Sequence, residues 1–208
     1  MEDKEDHSSF FAEGAYGCVM YPRIDCFGHR KKITTTDHVK KEMSKIVKND
    51  FTAENEIILG KKINKINKKT KKMLFLPVTR FCSIHREKLQ NYSQCQLLSN
   101  DKNKHIHKFK ILYSTYLESK TIHDHLFQEI YFSSQAHLDK MTSYFRFMVL
   151  ALKILHESGV LHNDLNPKNV LVSKNKKMHI IDFGRSIMTS KIYFKNGQLN
   201  MKYLKHFF

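Results

Sequence analysis

Apolar residues in the first half of the chain fall in short runs, whereas the second half carries one long helical stripe. "FFAEGAYGCVMYP" (10–22) alternates apolar residues around two glycines and predicts a β-hairpin with a flexible tip. "MSKIV" (43–47) predicts a short strand. "FTAENEIILGKKINKI" (51–66) places Ile57, Ile58, Ile63 and Ile66 at helical spacings, with Thr52 as candidate N-cap and Glu54 and Glu56 in the first turns. "MLFLPVTRFCSI" (73–84) is strand material broken by Pro77, and residues 85–106 are polar enough to predict an irregular loop. "FKILYSTYLES" (109–119) predicts another strand.

"HLDKMTSYFRFMVLALKILHESG" (137–159) is the strongest helix pattern in the chain. Leu138, Met141, Phe145, Met148, Leu152 and Leu155 recur at threes and fours and predict its buried face, and Gly159 suits its C-terminal cap. Then comes "VLHNDLNPKNVLV" (160–172), a polar loop between two β-rich apolar flanks, followed by a turn and the strand "MHIIDFG". Strands with one helix, then helices, predict an α+β chain in two lobes. Turn chemistry could explain a loop rich in Asn and Pro. Functional residues also concentrate on loops that a scaffold holds, and other features must decide between the two.

Composition narrows the classes. The 208 residues suffice for one large domain or two small lobes with a real core. The formal charge of +16, from 36 Lys+Arg against 20 Asp+Glu, favours anionic partners such as nucleotides, nucleic acid or acidic proteins. The lysine runs at 61–72 and 174–177 read first as solvated faces. A nucleic-acid interface rests on charge alone and lacks interleaved aromatics. The cysteines at 18, 26, 82 and 95 form no C-x-x-C pair, so neither a zinc site nor a disulfide framework is suggested. The pairs His105/His107 and His123/His125 have no cysteine at ligand spacing, which argues against metal binding. A charged, polar start and the lack of any long apolar run suggest no signal peptide or membrane span, and a reducing, cytoplasmic setting is the expectation.

Phosphoryl transfer needs donor phosphates held by backbone N–H groups and a cation, metal ions on oxygen ligands, and a group that orients the accepting hydroxyl. "AEGAYGCV", "MSKI", "ENEIILG", "YSTYLESKTI", "HNDLNPKN" and "IIDFG" supply a candidate for each, in workable order. With these motifs, from about residue 10 to 186, the chain resembles the eukaryotic-like protein kinase superfamily. The last two motifs are the specific ones. His162, Asp164, Leu165 and Asn169 match H-R-D-L-x-x-x-N, and Asp182-Phe183-Gly184 follows 18 residues after Asp164. The resemblance implies that Asp164 is the catalytic base, that Asn169 and Asp182 are Mg²⁺ ligands, and that ATP is the phosphoryl donor.

It further implies a flexible N-terminus (1–9), an N-lobe with nucleotide-binding loop and C-helix (10–117), and a truncated helical C-lobe (118–208). Gly14, Gly17 and Val19 match the glycine-rich loop, whose first glycine is replaced by Ala12. Lys45 lies in the most strand-like context for the ATP-anchoring lysine, 11 residues before its helix partner Glu56; Lys40, 16 residues before it, is the rival. "ILYSTYLESKTI" resembles the hinge, with Ser114 as gatekeeper and Thr115 to Leu117 offering backbone groups to adenine.

Several positions depart from the family. Asn163 replaces the arginine of H-R-D, so a phosphorylated activation loop has no partner there. Asn166 replaces the lysine that neutralises transferring phosphate, leaving Lys168 or another cation to do so, and gives the loop a likeness to small-molecule phosphotransferases. Gly60 sits where a bulky C-helix residue is usual. Only 24 residues follow Gly184, no A-P-E appears, and the tail ends in the exposed-looking aromatics Tyr203, Phe207 and Phe208. The expected function is a protein kinase acting on Ser/Thr hydroxyls, with a pseudokinase or a small-molecule phosphotransferase as alternatives. A protein substrate is implied, and a partner or self-association is expected to cover the short C-lobe. The long basic insert after "YPRIDC" gives a general likeness to kinases of large DNA viruses.

Overall fold

The structure, a computed structural model, describes residues 10–14, 17–27, 42–128 and 135–207. The expected flexible start (1–9), the tip of the glycine loop (15–16), Lys40 and Phe208 lie outside them. In chain order the elements are β1 (Phe10–Gly14), β2 (Gly17–Met20), β3 (Glu42–Lys48), α1 (Phe51–Thr70), β4 (Arg80–His85), α2 (Gln96–Ser99), β5 (Lys108–Thr115), β6 (Ser119–Thr121), α3 (Ile122–Gln128), α4 (Gln135–Glu157), β7 (Val160–Leu161), β8 (Val170–Ser173), β9 (Met178–Ile180), β10 (Ile187–Met188) and α5 (Met201–Leu204). The fold class is α+β, with a sheet-rich first part and helices after it. No helix among the described residues is long and apolar enough to cross a membrane.

The chain divides into two compact units. The first holds the described residues up to Ala53 together with Val78–Tyr116; the second holds Glu54–Pro77 and the chain from Leu117 on. The first is an antiparallel sheet of order β1-β2-β3-β5-β4. Alternation along its strands sends Cys18, Met20, Ile46, Phe109, Ile111 and Tyr113 to one buried cluster. That cluster is completed by segment 86–107, which the polar sequence led us to expect as an irregular loop. It is instead a run of short helical turns, Arg86–Tyr92, α2 and Asp101–Asn103. Leu89, Tyr92, Cys95 and Leu98 recur every third residue and are buried, as on the eclipsed face of tight turns.

Two disulfides hold this insert and the sheet, which corrects the reading of four unpaired cysteines. Cys18 of β2 is bonded to Cys95 across 77 residues, and Cys26 to Cys82 of β4 across 56. The expectation of a reducing compartment loses the support it drew from unpaired thiols. The Tyr113 hydroxyl lies 3.5 Å from both Cys26 Sγ and Cys82 Sγ, and burial pushes its pKa up to about 12. Gly17 is dictated by close approach, because a Cβ there would lie 2.2 Å from the Ile46 carbonyl oxygen of β3.

The second unit is built on α1 and α4. α1 begins at Phe51 and runs to Thr70, four residues beyond the predicted end. Its cap is Asp50, whose Oδ1 accepts the Ala53 N–H at 3.1 Å, and not Thr52 as the sequence suggested. Leu59, Ile63 and Ile66 face a core shared with Phe75, Leu155, Val160, Val170, Ile180 and Phe183. The strand material over 73–84 is broken at Pro77, as the sequence suggested. Its first part pairs with β9 in this unit, through Leu76 N–H to Ile180 O at 2.9 Å and Ile180 N–H to Leu74 O at 2.9 Å. Its last part is β4 of the other unit. The side chain of Asn67 clamps the turn between α1 and this segment, donating to Phe75 O at 2.8 Å and accepting from Leu74 N at 3.1 Å. The lysines 61, 65, 68, 69, 71 and 72 are exposed, the solvated face that their run suggested.

The stripe expected to bury α4 is corrected by a rotation. His137, Ala151 and Leu155 are the buried positions, with Tyr144, Phe147, Met148 and Ile154 packed partly against the core. Of the expected face only Leu155 is buried and Met148 half-buried, while Leu138, Met141, Phe145 and Leu152 are exposed beside Val149 and Leu150. The apolar arc of the helix is broad, running beside a polar stripe that includes Asp139, Arg146, Lys153 and Glu157, so periodicity alone could not choose which part of the arc is buried. The tail is corrected too. Tyr203 and Phe207 are buried, their rings 5.1 Å apart, and the Tyr203 hydroxyl accepts the Met188 N–H at 2.9 Å.

Two outcomes follow in denaturant titrations. Leu155→Ala lowers stability by about 2–5 kcal/mol, the cost of a core cavity, whereas Phe145→Gln, at a side chain 65% exposed, stays within about 0.5 kcal/mol. Paired Cys18→Ser and Cys95→Ser changes lower stability by about 2–4 kcal/mol, and a reductant added to the unmodified chain does the same.

Candidate active site

The sheet of the first unit sets its candidate residues by register. Gly14 and Gly17 face each other at the turn end of the β1–β2 hairpin. Val19 opposes Lys45, and Lys45 opposes Leu112. Directly opposed residues share a face, so Val19, Lys45, Leu112 and, two residues along, Ser114 lie on the face away from the disulfide-bonded cluster. Among the described residues the group of three metal-type ligands is Glu13, Cys18 and Cys95, and the bond between its two sulfurs leaves no thiolate for a metal.

The second unit holds Glu56, Leu117, Asp164, Asn169 and Asp182. Glu56 is buried on α1. Leu117 opens the unit, and its carbonyl accepts the Ser119 hydroxyl at 3.0 Å. The polar loop 162–169 is built by its own side chains. Asn166 Oδ1 accepts the Lys168 N–H at 2.9 Å and caps the tight turn Pro167–Asn169. Its Nδ2 donates to Asp164 O at 3.1 Å. Asn166 therefore holds the loop closed. Asn169 Nδ2 donates to the same carbonyl at 2.9 Å and to Asp164 Oδ2 at 3.3 Å. This orients the Asp164 carboxylate and leaves Asn169 Oδ1 as the remaining donor atom of the amide.

Backbone bonds tie this loop to the segment that leads from β9 into Asp182. Ile181 N–H donates to Asn169 O at 3.0 Å, and His162 Nε2 donates to Ile181 O at 3.0 Å. The His162 ring is buried, and lies edge-on to Phe183 at 5.1 Å, which in turn meets Phe75 at 6.1 Å. Asp182 has φ +59° and Asn163 φ +58°, left-handed conformations that a side chain adopts at a cost and keeps where its surroundings determine it. An amide oxygen and a carboxylate on adjoining, mutually bonded segments are hard oxygen donors and fit Mg²⁺. A cavity of about 580 Å³ opens beside the loop, lined by Leu152, Lys153, His156, Asn163 and Asp164.

Asn55, Asn67, Lys62 and Ser186 also shape this unit and were missed in the sequence. Lys62 Nζ donates to Gly159 O at 3.2 Å. Asn55 stands at the head of the apolar stripe Leu59, Ile63 and Ile66, and a polar residue in a buried stripe was the available signal.

Comparison with known proteins identifies the family of the chain. A family model described as protein kinase domain matches residues 13–204. The chain is 43% identical over 63 residues to a mitogen-activated protein kinase homolog of Nicotiana tabacum, covering 30% of this chain and 17% of that protein. It is 38% identical over 81 residues to mitogen-activated protein kinase 14 of Arabidopsis thaliana (38% and 21%). It is 32% identical over 88 residues to an Aurora kinase of Eremothecium gossypii (42% and 23%). The matched stretches thus span about a fifth of those relatives' lengths.

Burial lowers the pKa of His162 and of His179, outweighing their bonds to Ile181 O and Met73 O. Both are neutral in the fold and titrate more readily in the unfolded chain. Their contribution to stability is full above about pH 6.5, the ordinary histidine value, and is lost as pH falls through the lowered folded values. Thermal melts from neutral to acid pH should show this decline, with a shallower slope for His179→Gln.

Proposed function

The chain belongs to the protein kinase domain family, and we propose that it transfers the γ-phosphoryl group of ATP to Ser or Thr hydroxyls of a protein substrate. The observation that carries this reading is the bonded pair Asp164–Asn169 tied through Ile181 to Asp182. Asp164 accepts the proton of the attacking hydroxyl as its oxygen forms the new bond to the γ-phosphorus. The bond from that phosphorus to the β,γ-bridging oxygen breaks, and ADP leaves. Asn169 Oδ1 and the Asp182 carboxylate would hold Mg²⁺, which would neutralise charge on the phosphate oxygens when bound. In the first unit, Gly14, Gly17 and Val19 are read as the nucleotide-covering loop and Lys45 as the phosphate-anchoring lysine; in the second, Glu56 is read as the α1 carboxylate of the family's pattern and Leu117 as offering backbone groups to the adenine.

The use of Asn166 as a loop cap favours a second reading, a module that binds Mg²⁺ and ATP without transferring phosphate. The resemblance to kinases of large DNA viruses rests on the basic insert after Cys26, and a viral lineage with a host cytoplasmic or virion location is proposed on that ground.

Transfer of labelled phosphate from ATP to a generic protein acceptor tests the reading. The unmodified chain labels the acceptor, and Asp164→Ala and Asp182→Ala each reduce the rate by about 10²-fold or more. Lys45→Ala weakens ATP use by about 1.5–3 kcal/mol, the loss of a charged hydrogen bond, while Lys40→Ala leaves it unchanged. Mg²⁺-dependent ATP binding with no transfer would select the second reading.

A further inference from the structure

We propose that Asn55 is a positioning residue that holds Asp182 in its metal-binding conformation without phosphorylation. The inference rests on the reading of Asp182 as a Mg²⁺ ligand. Asn55 is 2% exposed on α1. Its Nδ2 donates to Gly184 O at 3.0 Å and to Ser186 O at 2.7 Å, the two carbonyls that follow Asp182-Phe183. Both amide hydrogens are thereby used, as a buried amide requires. Ser186, fully buried, donates its hydroxyl to His162 O at 3.0 Å. Ser186 N–H closes the turn on Phe183 O at 3.1 Å, and Gly184 N–H reaches Asp182 Oδ1 at 3.4 Å.

Asp182 is therefore fixed from both sides. Upstream, Ile181 N–H is held by Asn169 O. Downstream, Gly184 and Ser186 are held by Asn55 and by the loop carbonyl of His162. The left-handed backbone of Asp182 costs free energy on its own, and these bonds supply the over-determination that such a residue needs. A phosphate elsewhere can order the segment after D-F-G by pairing with the arginine of the catalytic loop. Here that position is Asn163, exposed and uncharged. The neutral amide of Asn55 does the equivalent work from α1, so the position of that helix is read directly at the metal site.

Calorimetric titration of ATP at graded Mg²⁺, with the full chain, is the test. The Mg²⁺ needed for half-maximal ATP binding should rise about tenfold in Asn55→Ala, as expected for two lost hydrogen bonds, and less in Ser186→Ala. Binding at saturating Mg²⁺ should be restored, and phosphatase treatment of the unmodified chain should change nothing. An Asn55→Ala protein that melts lower but keeps its Mg²⁺ requirement within twofold would make the residue merely structural and overturn the inference. So would a tenfold change on phosphatase treatment. If the unmodified chain shows no Mg²⁺-dependent binding, the reading of Asp182 fails first and takes this inference with it. Should Asn55→Ala not fold, hydrogen exchange of the unmodified, phosphatase-treated chain decides. Exchange at 184–187 as slow as in β8 supports the latch, and fast exchange overturns it.

Discussion

The bond from Ile181 N–H to Asn169 O is the constraint on which the rest of the site depends. It joins the polar loop to the segment that delivers Asp182, so that residues separated in sequence are held in one scaffold. His162 repeats the tie at the carbonyl of the same residue, Ile181, from a buried ring that stays neutral because its charged form is poorly solvated. Around it, Phe183 and Phe75 exclude water from the backbone bonds, which strengthens them. The polar chemistry is thus exposed at its tips and dry at its roots.

The same economy governs the asparagines. Asn166 and Asn169 converge on one acceptor, the Asp164 carbonyl, and Asn55 spans two carbonyls beyond Asp182. A neutral amide can bond backbone groups in a buried setting without the desolvation cost of an ion. The loop carries Asn163 and Asn166, and the structure gives Asn166 a bonding role inside the loop. In the other unit, covalent links take the corresponding part: one disulfide joins β2 to the helical insert, and the second joins the segment after β2 to β4.

The loop 162–169 and Asp182-Phe183-Gly184 were legible in the sequence because their chemistry is local and their residue types are few. The order of strands and helices was legible for the same reason. What the sequence hid was non-local. Disulfide partners 77 and 56 residues apart leave no trace in spacing. The insert 86–107 buries every third residue from Leu89 to Leu98, a rhythm of tight turns that a search for helix or strand periods passes over. In α4 the expected stripe and the buried stripe lie side by side, and only the packing of Ala151 and Leu155 against the core chose between them. Asn55 looked like one polar residue among the charges of a helix start until its two acceptors were seen.

The central claim is that Asn169 and Asp182 form a preassembled cation site beside Asp164. Paramagnetic broadening by Mn²⁺, added with a non-hydrolysable ATP analogue to the isotopically labelled chain, tests it most directly. The account predicts that the Asn169 side-chain amide and the backbone amides of Asp182 to Gly184 broaden first, and that Asp182→Ala abolishes the effect. Broadening centred on other carboxylates, or none at these positions, would contradict it.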